Sequence, residues 1–261
     1  MKVTVAINHQ SYQANLNDPF DISLPSKVKD GFTAWYVNPI TIKPVQGEGF
    51  IGSVEQGGAV NFCDLYINPH GNTTHTECVG HISKEKQEVN NILNRFHFTS
   101  QVITLKAKIL EEDLSEWQKK GDWIIDKKAI ENVLNPDIES VVLRTQLDHD
   151  GLANKQYNNT NWPYLLPEFT AFLRSTGVKH LLIDQPSVDR EKDGGQLLAH
   201  KAFWDYPNST DLLRTITEFI AVPQHLEDGF YLLNLSFANL CNDASPSRPV
   251  LYKLKKQNNI S

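Results

Sequence analysis

The stretch His70-Gly71-Asn72-Thr73-Thr74-His75-Thr76-Glu77-Cys78-Val79-Gly80-His81 decides how this chain is read. It brings three histidines and one carboxylate into twelve residues. Imidazole and carboxylate are the common ligands of zinc and related divalent ions. If residues 75–81 run extended, alternation of faces points His75, Glu77 and His81 the same way. His70 sits ahead of a Gly-Asn turn signal that can fold the chain back. One strand and one loop would then aim four metal-competent groups at one point. The ordinary alternative stands beside this. The chain has nine histidines in 261 residues, some of which will cluster by chance, and a His-x-Glu pair on a half-buried strand can be a plain polar face.

Taken with the rest of the chain, the stretch resembles the signature of the metal-dependent cyclase and kynurenine formamidase family, His-x-Gly-Thr-His-x-Asp-x-Pro-x-His. Thr74, His75 and His81 fall on its Thr, second His and last His, Glu77 on its Asp and Val79 on its Pro. The first histidine, His70, lies one residue upstream of the family position, which Gly71 fills; a one-residue loop insertion accounts for this. Ile183-Asp184-Gln185-Pro186-Ser187-Val188-Asp189 is similar to the family's Ile-Asp-x-x-Ser-x-Asp, and His200 follows where the family has a ligand. Thr217-Glu218-Phe219 resembles its Glu-Asn-Leu stretch, Ala244-Ser245-Pro246-Ser247-Arg248-Pro249 its Gly-Ser-Pro-x-Arg segment, and Val141–Thr145 its strand ending in Arg-Thr. The matches keep chain order over about residues 20–252.

The resemblance implies an α/β fold: a single compact domain over residues 1–261, with mixed β-sheets, few helices and a swivelling β/β/α arrangement. It also implies a metal set of His70, His75, Glu77, His200 and Glu218. Glu77 would bridge an ion held with His70 and His75 to a second held with His200 and Glu218. His81 would be a general acid/base, since histidine titrates near working pH. The cofactor would be one or two divalent ions, zinc or manganese. The activity would be hydrolysis of a small amide, formamide or cyclic amide or ester by metal-activated water. The substrate would be a small molecule, and the chain a homodimer or larger homo-oligomer.

Composition sets outer bounds. Hydrophobic residues are 40% and charged residues 21%, as in ordinary globular domains. A net charge of −6 offers no nucleic-acid footprint. No apolar run is long enough to span a bilayer, and Met1–His9 has too short an apolar core for a signal peptide. Three cysteines, an odd number, do not make a disulfide framework, so a reducing cytoplasm is expected.

Periodicity predicts strands over residues 1–24 with a turn at 17–19, and short strands with a long loop over the Pro- and Gly-punctuated residues 25–60, which could wall a substrate pocket. It predicts further strands at 61–67, 102–110, 141–145, 178–184 and 230–237. Helices are expected at 84–96 from an N-cap at Ser83, and at 126–134, 166–175 and 210–222.

Each site residue has its simpler reading. His200 could be a surface histidine, and Glu218, in an expected helix, a solvated one. Asp184 and Asp189 could cap a turn. Cys78 reads as a packed thiol. Arg248 positions a substrate carboxylate or only makes a salt bridge, and Trp35 and Tyr36 stack on an aromatic substrate or pack in a core. Two competing functions follow: a catalytically inactive metal- or small-ligand-binding protein on the same scaffold, and a Cys78-dependent thiol enzyme.

Overall fold

The apolar runs in the middle of the chain become parallel strands. A computed structural model describes residues 1–145 and 151–257. Its principal sheet contains β1 (Phe20–Asp21), β2 (His75–Glu77), β3 (His97–Thr104), β4 (Ser140–Arg144), β5 (His180–Ile183), β6 (Thr215–Glu218), β7 (Gly229–Asn234), β8 (Ala244–Pro246) and β9 (Val250–Lys253). The spatial order is β8-β2-β6-β5-β4-β3-β7-β9-β1, a curled mixed sheet. Strands β3, β4, β5 and β6 are parallel. Antiparallel strands flank them on both sides.

Both faces of the centre are covered, so its strands read as continuous apolar runs. Val141, Leu143, Leu181, Ile183 and Ile216 pack with Phe169, Leu173, Ala199, Phe203 and Trp204 of the helices α3 (Pro167–Ser175) and α4 (Leu198–Trp204). Val142 and Leu182, one residue out of phase, join Phe98, Tyr231, Leu233 and Leu251 on the other face. Helix α3 ends at Gly177, whose φ of +91° closes the turn into β5. Two shorter helical turns are α1 (Pro69–Asn72) and α2 (Val89–Ile92).

The α/β class agrees with the sequence reading; several elements differ. The helix expected at 210–222 is strand β6. Thr215, Ile216 and Thr217 favour a pleated environment, and the strand is buried on both faces beside β5. The helix expected at 84–96 shrinks to one turn at Val89–Ile92, because the Ser83 hydroxyl donates to the Glu85 carbonyl (2.6 Å) instead of capping a helix. Residues 126–134 form only a 3-10 turn at Lys127–Ala129, without a side-chain cap. The strand expected at 102–110 is two strands, β3 and a short Lys108–Ile109 piece. The strand within 61–67, Cys63–Tyr66, is exposed on both faces: among the described residues it pairs only with Thr41–Pro44 and no core lies beneath it.

Candidate metal centre and active site

The site lies on the helix-covered face of the sheet, at β2. His75 and Glu77 share a face by alternation. Antiparallel pairing sets Glu218 of β6 opposite His75, hence on that same face. On the reverse face, Thr76 and Thr217 are also opposite one another, with hydroxyls 2.8 Å apart, which locks the register. His70 arrives from α1. The helical turn explains the displaced histidine: residue 71 faces Val37, where an added Cβ would lie 2.5 Å from a methyl group, while His70 Nδ1 comes within 3.2 Å of Glu77 Oε2. Helix α4 supplies His200, which is buried, with Nε2 3.0 Å from Glu77 Oε1 and 3.7 Å from Glu218 Oε1.

His81 reaches the cluster by a different path from the expected one. Strand β2 stops at Glu77, and His81 closes a 3-10 turn, Val79–His81. Its ring stacks on His70 with centroids 4.3 Å apart, and its Nδ1 is 3.7 Å from Glu77 Oε2. The chain therefore brings His70, His75, Glu77, His81, His200 and Glu218 together.

Two more residues belong to this constellation. Asp189, read from sequence as a turn cap, accepts from the Ala199 and His200 amides (2.8 and 3.1 Å) and pairs with His200 Nδ1 at 2.6 Å. Asp243, which sequence reasoning missed, lies 2.9 Å from His70 Nε2 and 3.4 Å from His81 Nδ1. The signal available for it was its place immediately before the Ala244-Ser245-Pro246 segment, which is strand β8 paired to β2.

Burial and charge set the protonation states. Burial opposes ionisation of Glu77, but His81, His200 and His70 outweigh it and hold the carboxyl well below the usual range. Burial and the Glu77 charge push Glu218 well above that range. Burial holds His75 below its ordinary value. Burial also opposes protonation of His70, but Asp243 and Glu77 raise it to about 10. For His200 the same opposition is overcome by Asp189 and Glu77.

This donor set suits a divalent cation. His75 Nδ1 faces the Thr73 carbonyl at 3.1 Å, so that nitrogen carries the proton and Nε2 keeps its lone pair. Nε2 is buried and makes no hydrogen bond among the described residues, and Glu77 Oε2 is buried beside it with the His70 ring as its nearest ionic neighbour. Two triads, His70/Glu77/His81 and His75/Glu77/Glu218, each have ligand atoms within 4.8 Å of one another, and Glu77 is common to both. His75 Nε2 lies 3.8 Å from Glu77 Oε2 and 3.6 Å from Glu218 Oε2. Ligands at about 2.0–2.2 Å from a tetrahedral ion stand roughly 3.4 Å apart, close to this spacing.

A cavity of about 310 Å3 opens onto the cluster, lined by Trp35, Val37, Asn68, Ser187 and Leu197 with His70, His81, His200 and Glu218. Trp35 packs edge-on against Trp162 with centroids 5.2 Å apart, leaving its residue on the cavity wall, whereas Tyr36 is exposed. Phe219, directly after Glu218, has φ +57°, a strained conformation for a bulky side chain, held in place by burial against Phe32 and Tyr157. Cys78 is buried, its thiol directed to the Gln87 carbonyl, and burial raises its pKa to about 11, which favours the thiol over the thiolate at neutral pH. Arg248 pairs with Asp21 at the surface, away from the cavity lining. Asp184 holds the Thr145 amide (2.8 Å) at the end of β4.

Among curated proteins, the kynurenine formamidase of Bacillus mycoides (strain KBAB4) is 29% identical over 200 residues, covering 76% of this chain and 83% of that protein. The kynurenine formamidase of Bacillus anthracis is 28% identical over the same length. Among solved structures, isatin hydrolase A from Labrenzia aggregata superposes with a TM-score of 0.63 at 14% identity, covering 90% of this chain and 93% of that one. A protein described as a "predicted metal-dependent hydrolase" from Bacillus stearothermophilus superposes at 0.62, also at 14% identity, covering 90% and 98%. These two likenesses show a shared fold. The family model described as "Putative cyclase" matches residues 20–190, well over half the chain, so the chain belongs to that family.

Proposed function

We propose that the protein is a metal-dependent hydrolase that cleaves a carbon–nitrogen bond in a small amide, formamide or cyclic amide. The observation that carries this is the convergence of buried metal-competent atoms, among them His75 Nε2, which makes no hydrogen bond among the described residues, in a histidine–carboxylate cluster that borders a ligand-sized cavity. The names of the relatives, kynurenine formamidase and isatin hydrolase, support the same bond type.

In this reading His70, His75, Glu77, His200 and Glu218 hold one or two divalent ions, zinc or manganese, with Glu77 shared. A divalent ion bound there would polarise a carbonyl and make water acidic enough to ionise near neutral pH. The chain's own side chains do the rest. Glu77 stays ionised and Asp189 fixes the His200 ring, so binding ends with fixed ligand positions. His81 is the partly exposed histidine on the cavity wall, and its Nδ1 faces Glu77 and Asp243, leaving Nε2 to pass a proton to the departing nitrogen. Trp35, Val37 and Leu197 give the cavity an apolar wall for a small, largely planar substrate. Three unpaired cysteines, two of them exposed, support a reducing compartment such as the cytoplasm.

The test is elemental mass spectrometry on untagged wild type and on His75→Ala, followed by a turnover screen of aryl formamides, lactams and cyclic imides. One or two equivalents of metal in the wild type, lost in the variant together with turnover, is the expected result. Metal binding with no turnover across the panel would favour a binding protein. Absence of metal after incubation with zinc or manganese would overturn the reading.

A further inference from the structure

Val37 lines two cavities. One, of about 310 Å3, borders the metal cluster; the other, of about 640 Å3, contains none of that cluster's side chains. Val37 is the only residue common to their described linings. The larger cavity has an apolar floor. Phe32 and Ile40 are buried there, and Val37, Pro39 and Val28 carry the apolar surface outward, with Val28 48% exposed. Its walls are held in place. The Phe32 ring packs on Phe219 with centroids 5.0 Å apart. Asn72 Oδ1 accepts from the Asn68 amide (3.0 Å), and Asn72 Nδ2 donates to the Asn38 carbonyl (3.1 Å). Gln156 Nε2 donates to the Gly31 carbonyl (2.9 Å), which ties down the loop that follows Lys27 and Lys29.

Those two lysines belong to the same lining, and neither is neutralised. Lys27 Nζ donates to Asn154 Oδ1 (3.0 Å), an uncharged acceptor. Lys29 forms no ion pair among the described residues, and Asp30, the one acid on the described lining, pairs with neither lysine. The whole chain carries a net charge of −6, so a lining with two cations and one acid runs against the overall balance. A concave site with low-dielectric walls concentrates such a field. We infer that this cavity is a second small-molecule site that binds an organic carboxylate with an apolar body, the body against Phe32, Val37 and Ile40 and the carboxylate at Lys27 and Lys29. Its volume falls within the range of about 300–1,000 Å3 usual for small-molecule sites. A phosphate or a nucleotide would leave the apolar floor uncovered. An uncharged hydrocarbon would leave the ammonium groups without a counter-charge. An apolar carboxylate satisfies both. Because the lining shares no metal-competent side chain with the cluster, this site is independent of the catalytic reading.

Calorimetric titration of naphthoate into the full chain tests this, with excess chelator present so that the carboxylate has no metal to ligate. One equivalent should bind saturably, and that event should persist when zinc or manganese is restored. Naphthamide, the uncharged isostere, should bind at least about tenfold more weakly, the loss expected for one charge-assisted hydrogen bond. Lys27→Ala combined with Lys29→Ala should weaken naphthoate by the same factor. Val28→Glu, at an exposed position on the lining, should abolish binding by like charge while keeping the native circular dichroism spectrum. Lys43→Ala, an exposed lysine outside the lining, should change nothing. No saturable heat at millimolar naphthoate, an affinity indifferent to the lysine pair and to Val28→Glu, or binding that appears only with metal would each overturn the inference.

Discussion

Replacing Asp189 with alanine removes one buried carboxylate that does three things at once. It accepts the Ala199 and His200 amides at the start of α4 and holds His200 Nδ1 at 2.6 Å. Hydrogen bonds to a charged group contribute about 1.5–3 kcal/mol each, and breaking a buried charged pair costs about 3–5 kcal/mol because the partner is left uncompensated. The metal-free variant should therefore lose about 3–5 kcal/mol of unfolding free energy, read as a lower urea midpoint in excess chelator. Metal affinity should fall about 10–100-fold once the His200 ring loses its anchor, equivalent to about 1.4–2.8 kcal/mol; a chelator-competition titration measures it. The two amides meet different oxygens of Asp189, so Asp189→Asn, with one oxygen, can accept from only one of them and loses the charge facing imidazole. It should recover part of the stability and little of the affinity. If Asp189→Ala unfolds at the wild-type midpoint and retains metal as tightly, the argument that this residue positions His200 fails.

Three other outcomes are expected. Asp243→Ala should weaken metal retention and turnover about tenfold, since His70 and His81 lose the carboxylate they share (2.9 and 3.4 Å); unchanged retention in the competition titration would mark those contacts as incidental. His180 lies away from the site, packed on Phe98, and burial together with Arg95, Lys179 and Arg214 lowers its pKa to about 3. The unfolded chain takes up that proton near pH 6.5 and the folded chain refuses it, so stability is complete above about 6.5 and erodes as pH falls toward 3; His180→Gln should move the acid-unfolding midpoint, followed by tryptophan fluorescence, to lower pH, and an unmoved midpoint would refute the assignment. Alkylation of the native protein should modify exposed Cys63 and Cys241 quickly and buried Cys78 slowly, with turnover surviving; rapid inactivation tracking Cys78 would restore the thiol mechanism.

The legible part of the site was the part governed by short-range rules. Alternation alone puts His75 and Glu77 on one face, and the strand confirms that pattern. The same rule applied to His81 gave proximity for the wrong reason, because the strand ends at Glu77 and a 3-10 turn carries the ring back. The helix expected at 210–222 failed because propensity there is weak and the neighbouring strand decides. Once Thr215–Glu218 pairs with β5 and β2, its backbone groups are satisfied only as a strand. Residues 61–67 show the converse error: their alternation suggested two partly buried faces, but among the described residues the strand pairs only with Thr41–Pro44, where the body offers no surface to cover it.

By itself the sequence determined the chemistry on offer: histidines and carboxylates in family order, apolar runs long enough for central strands, and no run fit for a membrane helix, in keeping with the described helices. Only the tertiary structure decided which of those groups meet. Glu218 joins His75 through a register spanning 143 positions of chain, His200 is buried rather than surface-facing, and Asp189 and Asp243 become supports of imidazole rings. The physical reason is the range of the forces read. Side-chain alternation and turn chemistry act over a few residues, whereas cross-strand register and the burial that shifts a carboxyl or an imidazole exist only after distant segments have packed.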